Sequence, residues 1–374
     1  MTDSIVDQPA LEDFCAELRG AAWLALDTEF IREQTYYPQL CLIQIAIPGR
    51  VACIDPLALP SLDPLLDLLY DPTITKVLHA AHQDLELFFH LRGAVPSPLF
   101  DTQLAALVLG DGHLIGYAAL VRQRLVVELA KAHTRADWRR RPLASEWLAY
   151  AADDVRYLGE LYPLQRAALR EQGLLDALAE DFQALCHPDR YRLQPENAWR
   201  RLREHQRLSG VQRAAARALA AWREEQASAC DRPRGWILHD GVLLELAQRL
   251  PERMEQLRSI RGLPAATLQN QGLVLLERIA AARAEPPEQW PARGPRAQLN
   301  AAQKAQVEPW LAQIARRASE RAMPPQIIAN RRDVENLLAG FDSPLRHGWR
   351  AALIGRELQA LSSEGAVGGP PLTG

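Results

Sequence analysis

Ala21-Ala22-Trp23-Leu24-Ala25-Leu26-Asp27-Thr28-Glu29-Phe30 is the stretch from which the fold and the chemistry of this chain are read. Its composition is that of a short buried strand, and in a strand side chains two apart project to the same face. Asp27 and Glu29 therefore point the same way from an apolar element. Charged groups are rarely placed on such a surface without a partner, so this pair is the first candidate for a metal site.

Working outward, two further segments carry acids in comparable settings. Val77-Leu78-His79-Ala80-Ala81-His82-Gln83-Asp84 reads as a strand, residues 74 to 80, giving way to a helix. Loops and helix starts beside strand ends are common ligand positions. Tyr150-Ala-Ala-Asp153-Asp154 lies in an alanine-rich helical stretch, where residues four apart stack on one face. Asp153 points about 100° away around that helix, which suits a pairing or capping role. Taken singly, Asp84 and Asp154 are also compatible with caps or solvated charges. Together the four acids suit hard divalent cations, which prefer oxygen ligands and act in pairs on phosphoryl centres.

Three segments in this order, Asp27-Thr-Glu29-Phe, Gln83-Asp84-Leu-Glu and Tyr150-Ala-Ala-Asp-Asp154-Val, resemble the exonuclease motifs of the DEDD superfamily in its tyrosine-containing branch. The flanking text at 27–46, Phe100-Asp-Thr-Gln-Leu-Ala-Ala and Asp137-Trp-Arg-Arg-Arg-Pro-Leu narrow the likeness to the ribonuclease D family. The resemblance implies that Asp27, Glu29, Asp84 and Asp154 bind two Mg²⁺ (or Mn²⁺) ions and that Tyr150 orients the attacking water. An unperturbed phenol, with a pKa of about 10, is a poor general base at neutral pH. Asp101 fits the family pattern without being one of its metal ligands and reads as a structural acid at a helix start.

The chain of 374 residues predicts more than one domain. Residues 1–190 hold 16 Lys and Arg against 27 Asp and Glu, net −11, whereas the remainder is net +8. An acidic catalytic half and a basic half suit a nuclease. The five cysteines are scattered without a Cys-x-x-Cys pair, which argues for reduced thiols and against a zinc or disulfide framework. Apolar runs are too short for a membrane span, and the acidic first residues are unlike a secretory signal. A cytoplasmic location follows as the expectation.

Strands are predicted over 22–30, 39–47 and 50–55, then a helix (61–70), a strand (74–80), a helix (83–92) and helical text. Periodicity alone gives an α/β domain; the resemblance implies a ribonuclease H-like mixed sheet flanked by helices over 1–195. Beyond it, Leu208, Val211, Ala215, Leu219 and Trp222 recur at helical spacing. Two all-α bundles, 196–284 and 296–370, resemble HRDC domains, nucleic-acid-binding modules, with a Pro- and Gly-rich linker over 285–295. Ile237-Leu238-His-Asp240 is echoed by Ile327-Ile328-Ala-Asn330, a weak internal duplication of two aliphatics, a capping residue and a helix. The Gly- and Pro-rich end, from about 363, reads as disordered.

For RNA contact the sequence offers Trp138 flanked by Arg135, Arg139, Arg140 and Arg141, a basic run with an aromatic able to stack on a base. The alternative is a basic loop whose Trp138 packs on the domain. Arg200, Arg201, Arg203 and Arg207 form a second basic group, equally compatible with a solvated helix face. His79 and His82 suit core hydrogen bonding better than an oxygen-rich magnesium site. The expected activity is 3′→5′ exoribonuclease action on structured RNA, tRNA precursors by resemblance, releasing nucleoside 5′-monophosphates without membrane or obligate protein partner. A DNA exonuclease shares the same metal chemistry, since nothing in the motifs reads the 2′-hydroxyl. A non-catalytic RNA-binding protein is the other alternative.

Overall fold

The computed structural model describes residues 2–130, 136–292, 299–321 and 323–364. Arg135, residues 293–295 of the expected linker and the tail from 365 lie outside them. Contacts divide the chain into two compact units, Met1–Ile31 with Leu40–Tyr191 and Ala297–Gly374, and Arg32–Gln39 with Arg192–Arg296. These cut across the expected domain order. The segment between the second and third strands belongs with the first helical bundle, and the second bundle belongs with the exonuclease part.

The first unit opens with β1 (Thr2–Ile5), α1 (Gln8–Leu18), β2 (Trp23–Ile31), β3 (Gln39–Ile47) and β4 (Arg50–Ile54). It continues with α2 (Asp63–Leu69), β5 (Thr75–Leu78), α3 (His82–Arg92), β6 (Leu99–Asp101), α4 (Thr102–Val108) and α5 (Tyr117–Leu125), and then α6 (Ser145–Glu171) and α7 (Leu175–Leu185). The strands form one mixed sheet in the order β1-β4-β3-β2-β5-β6. β3 and β4 pair antiparallel, whereas β1–β4, β2–β5 and β5–β6 are parallel. The three apolar strands and the helix–strand–helix that follows match the sequence expectation; the short edge strands β1 and β6 were not legible, because three or four residues carry too little alternation.

Strand alternation sorts the core into two layers. Leu24, Leu26, Ile43 and Ile45 face Leu11, Phe14, Leu65, Leu85 and Phe88 from α1, α2 and α3. Ala25, Ala46 and Val77 face Val155, Leu158 and Tyr162 of α6. Small residues on the sheet let the 27-residue α6 lie close against it. Asp27 and Glu29 share the α6 face with Ala25, and Thr28 shares the α3 face with Leu26.

The second unit is a helical bundle of α8 (Gly210–Ala229), α9 (Arg234–Ile237), α10 (Asp240–Arg249), α11 (Met254–Arg258) and α12 (Ala265–Ala284). Back in the first unit, α13 (Ala301–Ser319), α14 (Pro325–Ile328) and α15 (Arg331–Leu338) repeat the long–short–medium order of α8–α10. The duplication extends to detail. Both long helices start with a capping box, Ser209 with Gln212 and Asn300 with Gln303. Each box glutamine also donates to the end of the third helix, Gln212 to the Gln248 carbonyl at 2.9 Å and Gln303 to the Leu338 carbonyl at 2.8 Å. Asn330 caps α15 as expected, but Asp240 lies inside the first turn of α10 and pairs with Arg223. Among the described residues, no helix is long and apolar enough to cross a membrane.

Candidate active site

β2 runs through the sheet beside β5, which stops at Leu78 while β2 continues to Ile31. Asp27 and Glu29 thus stand past the carboxyl end of a parallel neighbour, where open α/β sheets place their ligands. α6 crosses the same face and brings in Asp154. Oxygens of Asp27, Glu29 and Asp154 all lie within 4.8 Å of one another. Asp84, in the first turn of α3, arrives from the opposite layer and accepts a hydrogen bond from Thr28, the residue between the strand's two acids. It is outside the tight group of three, yet it acts on Asp27 more strongly than the other acids do.

The electrostatics follow from that crowding. Burial, then the charges of Asp84, Asp154 and Glu29, hold the Asp27 carboxyl well above the usual carboxylate range. Burial and the Asp154 and Asp84 charges push Glu29 up to about 8. Asp154 is pushed up to about 7, mainly by burial, against a lowering hydrogen bond from Tyr150. Asp84 is pushed up to about 6 by burial, partly offset by the Thr28 hydrogen bond. Among the described residues no ion pair reaches any of the four. Four oxygen donors that repel one another and have no basic partner among the described residues fit a divalent cation.

Tyr150 lies one turn before Asp154 and donates its hydroxyl to that carboxylate. Burial and the charges of Asp154, Glu29 and Asp27 raise its pKa, so the phenol stays protonated and acts as a donor. Asp153, as the helical angle predicts, turns aside to Arg156 at 3.1 Å. Sequence reading missed two supports. Thr28 ties Asp84 to the strand, and Tyr117, whose hydroxyl donates to the Asp153 carbonyl at 2.8 Å, lies within electrostatic reach of Asp154 and Asp27. A threonine inside a motif and a tyrosine at a helix start carry no signal by spacing.

Asp101 does more than cap α4. It accepts from the Gln103 and Leu104 N–H groups, as an N-cap should. It also accepts from Ala80 and Ala81 at 3.2 and 2.9 Å. Ala80 sits at φ 56°, a left-handed conformation that costs about 1–3 kcal/mol in a non-glycine residue. Asp101 therefore braces the tight turn that aims Asp84 at the site. His79 bonds to Thr102 and the Ile115 carbonyl, and His82 packs on Tyr191, so both histidines have structural partners.

The basic run is corrected in two places. Trp138 is 4 % exposed and packs on Trp147, Leu42 and Ala152, which leaves no face for a base. Arg141 forks onto buried Asp55, with one contact at 2.7 Å, and donates to the Cys41 carbonyl at 2.8 Å. It is a staple between loop and sheet. Arg139 and Arg140 remain exposed. Spacing could not separate these four, because burial of a loop tryptophan depends on what lies beneath it.

A 3′-5′ exonuclease family model matches residues 3–167, and an HRDC domain model matches residues 212–279. Ribonuclease D of Zymomonas mobilis is 40% identical over 364 residues, 96% of this chain and 93% of that protein. This chain belongs to the ribonuclease D family. Ribonuclease D of Pseudomonas paraeruginosa is 38% identical, covering 95% and 96% of the two chains. The crystal structure of Escherichia coli RNase D, described as an exoribonuclease involved in structured RNA processing, superposes with a TM-score of 0.85. It is 30% identical and covers 97% of this chain and 99% of that one. The fold expected from the motifs, a mixed-sheet exonuclease domain with a helical HRDC region, is the one found.

Proposed function

We propose that this protein is a metal-dependent 3′→5′ exoribonuclease that trims structured RNA, tRNA precursors in particular, and releases nucleoside 5′-monophosphates. The observation that carries this is the convergence of Asp27, Glu29 and Asp154 within 4.8 Å, with Asp84 alongside and no ion pair among the described residues. Asp27, Glu29, Asp84 and Asp154 would hold two Mg²⁺ (or Mn²⁺) ions. When bound, such a pair lowers the pKa of water and offsets charge on the attacking and leaving oxygens. The remaining work belongs to the chain. Asp27 and Glu29 are fixed by the strand, and Asp84 is held by Thr28 and by the turn that Asp101 braces. Tyr150 keeps Asp154 oriented and presents a protonated hydroxyl able to hold the attacking water. Hydrolysis joins the water oxygen to phosphorus and breaks the bond to the 3′-oxygen, which leaves as a hydroxyl. Exposed Arg139 and Arg140 would meet the phosphate backbone.

The test uses 5′-labelled and 3′-labelled tRNA precursors with Mg²⁺, Mn²⁺ or chelator. Stepwise shortening of the 5′-labelled strand, with labelled mononucleotide from the 3′-labelled one, is expected only with metal. Equal or faster loss of a matched DNA oligomer would move the assignment to a DNA exonuclease. Tight RNA binding without any product would make it a binding protein.

A further inference from the structure

Gln44, in the middle of β3, has no exposed surface, and neither its amide nitrogen nor its amide oxygen has a hydrogen-bond partner. Burying an unpaired carboxamide costs free energy that a leucine or methionine of similar size would not. Stability alone would not select glutamine here. Its position suggests what does. Along β3, Leu42, Gln44 and Ala46 share one face. Leu42 clusters with Ala151 and Ala152 of α6, and Ala46 with Ala25 of β2 and Val155 of α6. Gln44 is therefore beneath the turn of α6 that carries Asp154, on the strand next to Asp27 and on the same face. Its cross-strand neighbour Cys53 lies within electrostatic reach of Arg156 and of Asp154. The polar side chain that strand pairing sets beside the carboxamide is the Cys53 thiol, and the carboxylates of Asp27 and Glu29 project from the same face of the neighbouring strand.

We propose that Gln44 is a positioning residue for the metal centre, its carboxamide donating to the Asp27 or Asp154 carboxylate, directly or through one buried water, in the cation-loaded enzyme. The proposal rests on reading the acidic cluster as the metal site. Groups that orient metal ligands from behind change metal affinity by about 10–100-fold when removed. Gln44→Met in the full chain separates this role from simple packing. Its metal-free melting temperature should rise, because the orphaned amide is gone. Its Mn²⁺ affinity by titration calorimetry should fall by about 10–100-fold, and kcat should fall while KM for RNA holds. Gln44→Asn, which keeps the amide, should recover part of the Mn²⁺ affinity. Parent-like Mn²⁺ affinity and kcat in Gln44→Met, or no recovery in Gln44→Asn, would overturn the proposal. A parent protein that binds no Mn²⁺ at all would instead overturn the reading of the cluster, and this proposal with it.

Discussion

Two groups of carboxylates, one in each unit, are treated in opposite ways. In the helical unit, Glu224 is 1 % exposed on α8 and surrounded by donors. Arg234 forks onto it with one bond at 2.6 Å, the hydroxyl of Tyr36 donates to it, and Arg201 lies at 3.5 Å. Burial would raise its pKa, but those hydrogen bonds and charges outweigh burial and leave it lowered. In the exonuclease unit, Asp27, Glu29, Asp84 and Asp154 are crowded together with raised pKa values and no ion pair among the described residues. A buried acid completed by the protein's own arginine is a structural joint. A crowded cluster of acids with no basic partner among the described residues is a ligand site.

Substitutions can break this contrast. Asp27→Asn should lower kcat on RNA by about 1,000-fold or more, the loss expected when a cation ligand at a phosphoryl centre is removed. The same change should leave the metal-free melting temperature equal or higher, since it relieves repulsion. Retained activity at saturating Mg²⁺ would take Asp27 out of the mechanism. Glu224→Ala should do the reverse, costing about 3–5 kcal/mol in chemical denaturation because the Arg234 charge and the Tyr36 hydroxyl lose their buried partner. A loss below 1 kcal/mol would show that the joint is not structural.

Smaller effects sharpen the picture. Tyr150→Phe removes one hydroxyl donor from a charged acceptor, worth about 1.5–3 kcal/mol, so turnover should slow by about 10–100-fold with RNA affinity little changed. An unchanged single-turnover rate would end the role given to the phenol. Finally, pH should act on the metal-free protein. The folded-state pKa values of Asp84, Asp154 and Glu29 are raised to about 6, 7 and 8. Stability from these protonated carboxyls is complete below about pH 4 and is lost as pH rises towards 8, by about 1.4 kcal/mol per pH unit for each proton released on unfolding. Thermal melts should show that decline, and added Mg²⁺ or Mn²⁺ should stabilise most at its upper end. A metal-free melting temperature that climbs from pH 5 to 8 would contradict the crowding.

Much of this site was legible because its signals are local. Two acids at strand spacing and a tyrosine four residues before an aspartate fix which side chains share a face, whatever the surroundings. The limits lie where a residue's meaning depends on distant chain. Trp138 and Arg139 look alike as candidates until Trp147 and Leu42 are found against one and solvent against the other. Asp101 reads as a cap, but its hold on Ala80 and Ala81 reaches back twenty-one and twenty residues. Arg32–Gln39 reads as a turn between strands, yet its tyrosine completes the hydrogen bonding of a glutamate 188 positions later.

By itself the sequence determined the strand and helix pattern, the acids that project together from β2 and α6, and the family. The first two rest on backbone periodicity, which is written into spacing, and the family rests on the likeness of its motifs. Tertiary structure decided which buried charges have a protein partner, which aromatic is core, and that Gln44 is left without a hydrogen bond. These are properties of environments, and an environment is built from segments that only folding brings together.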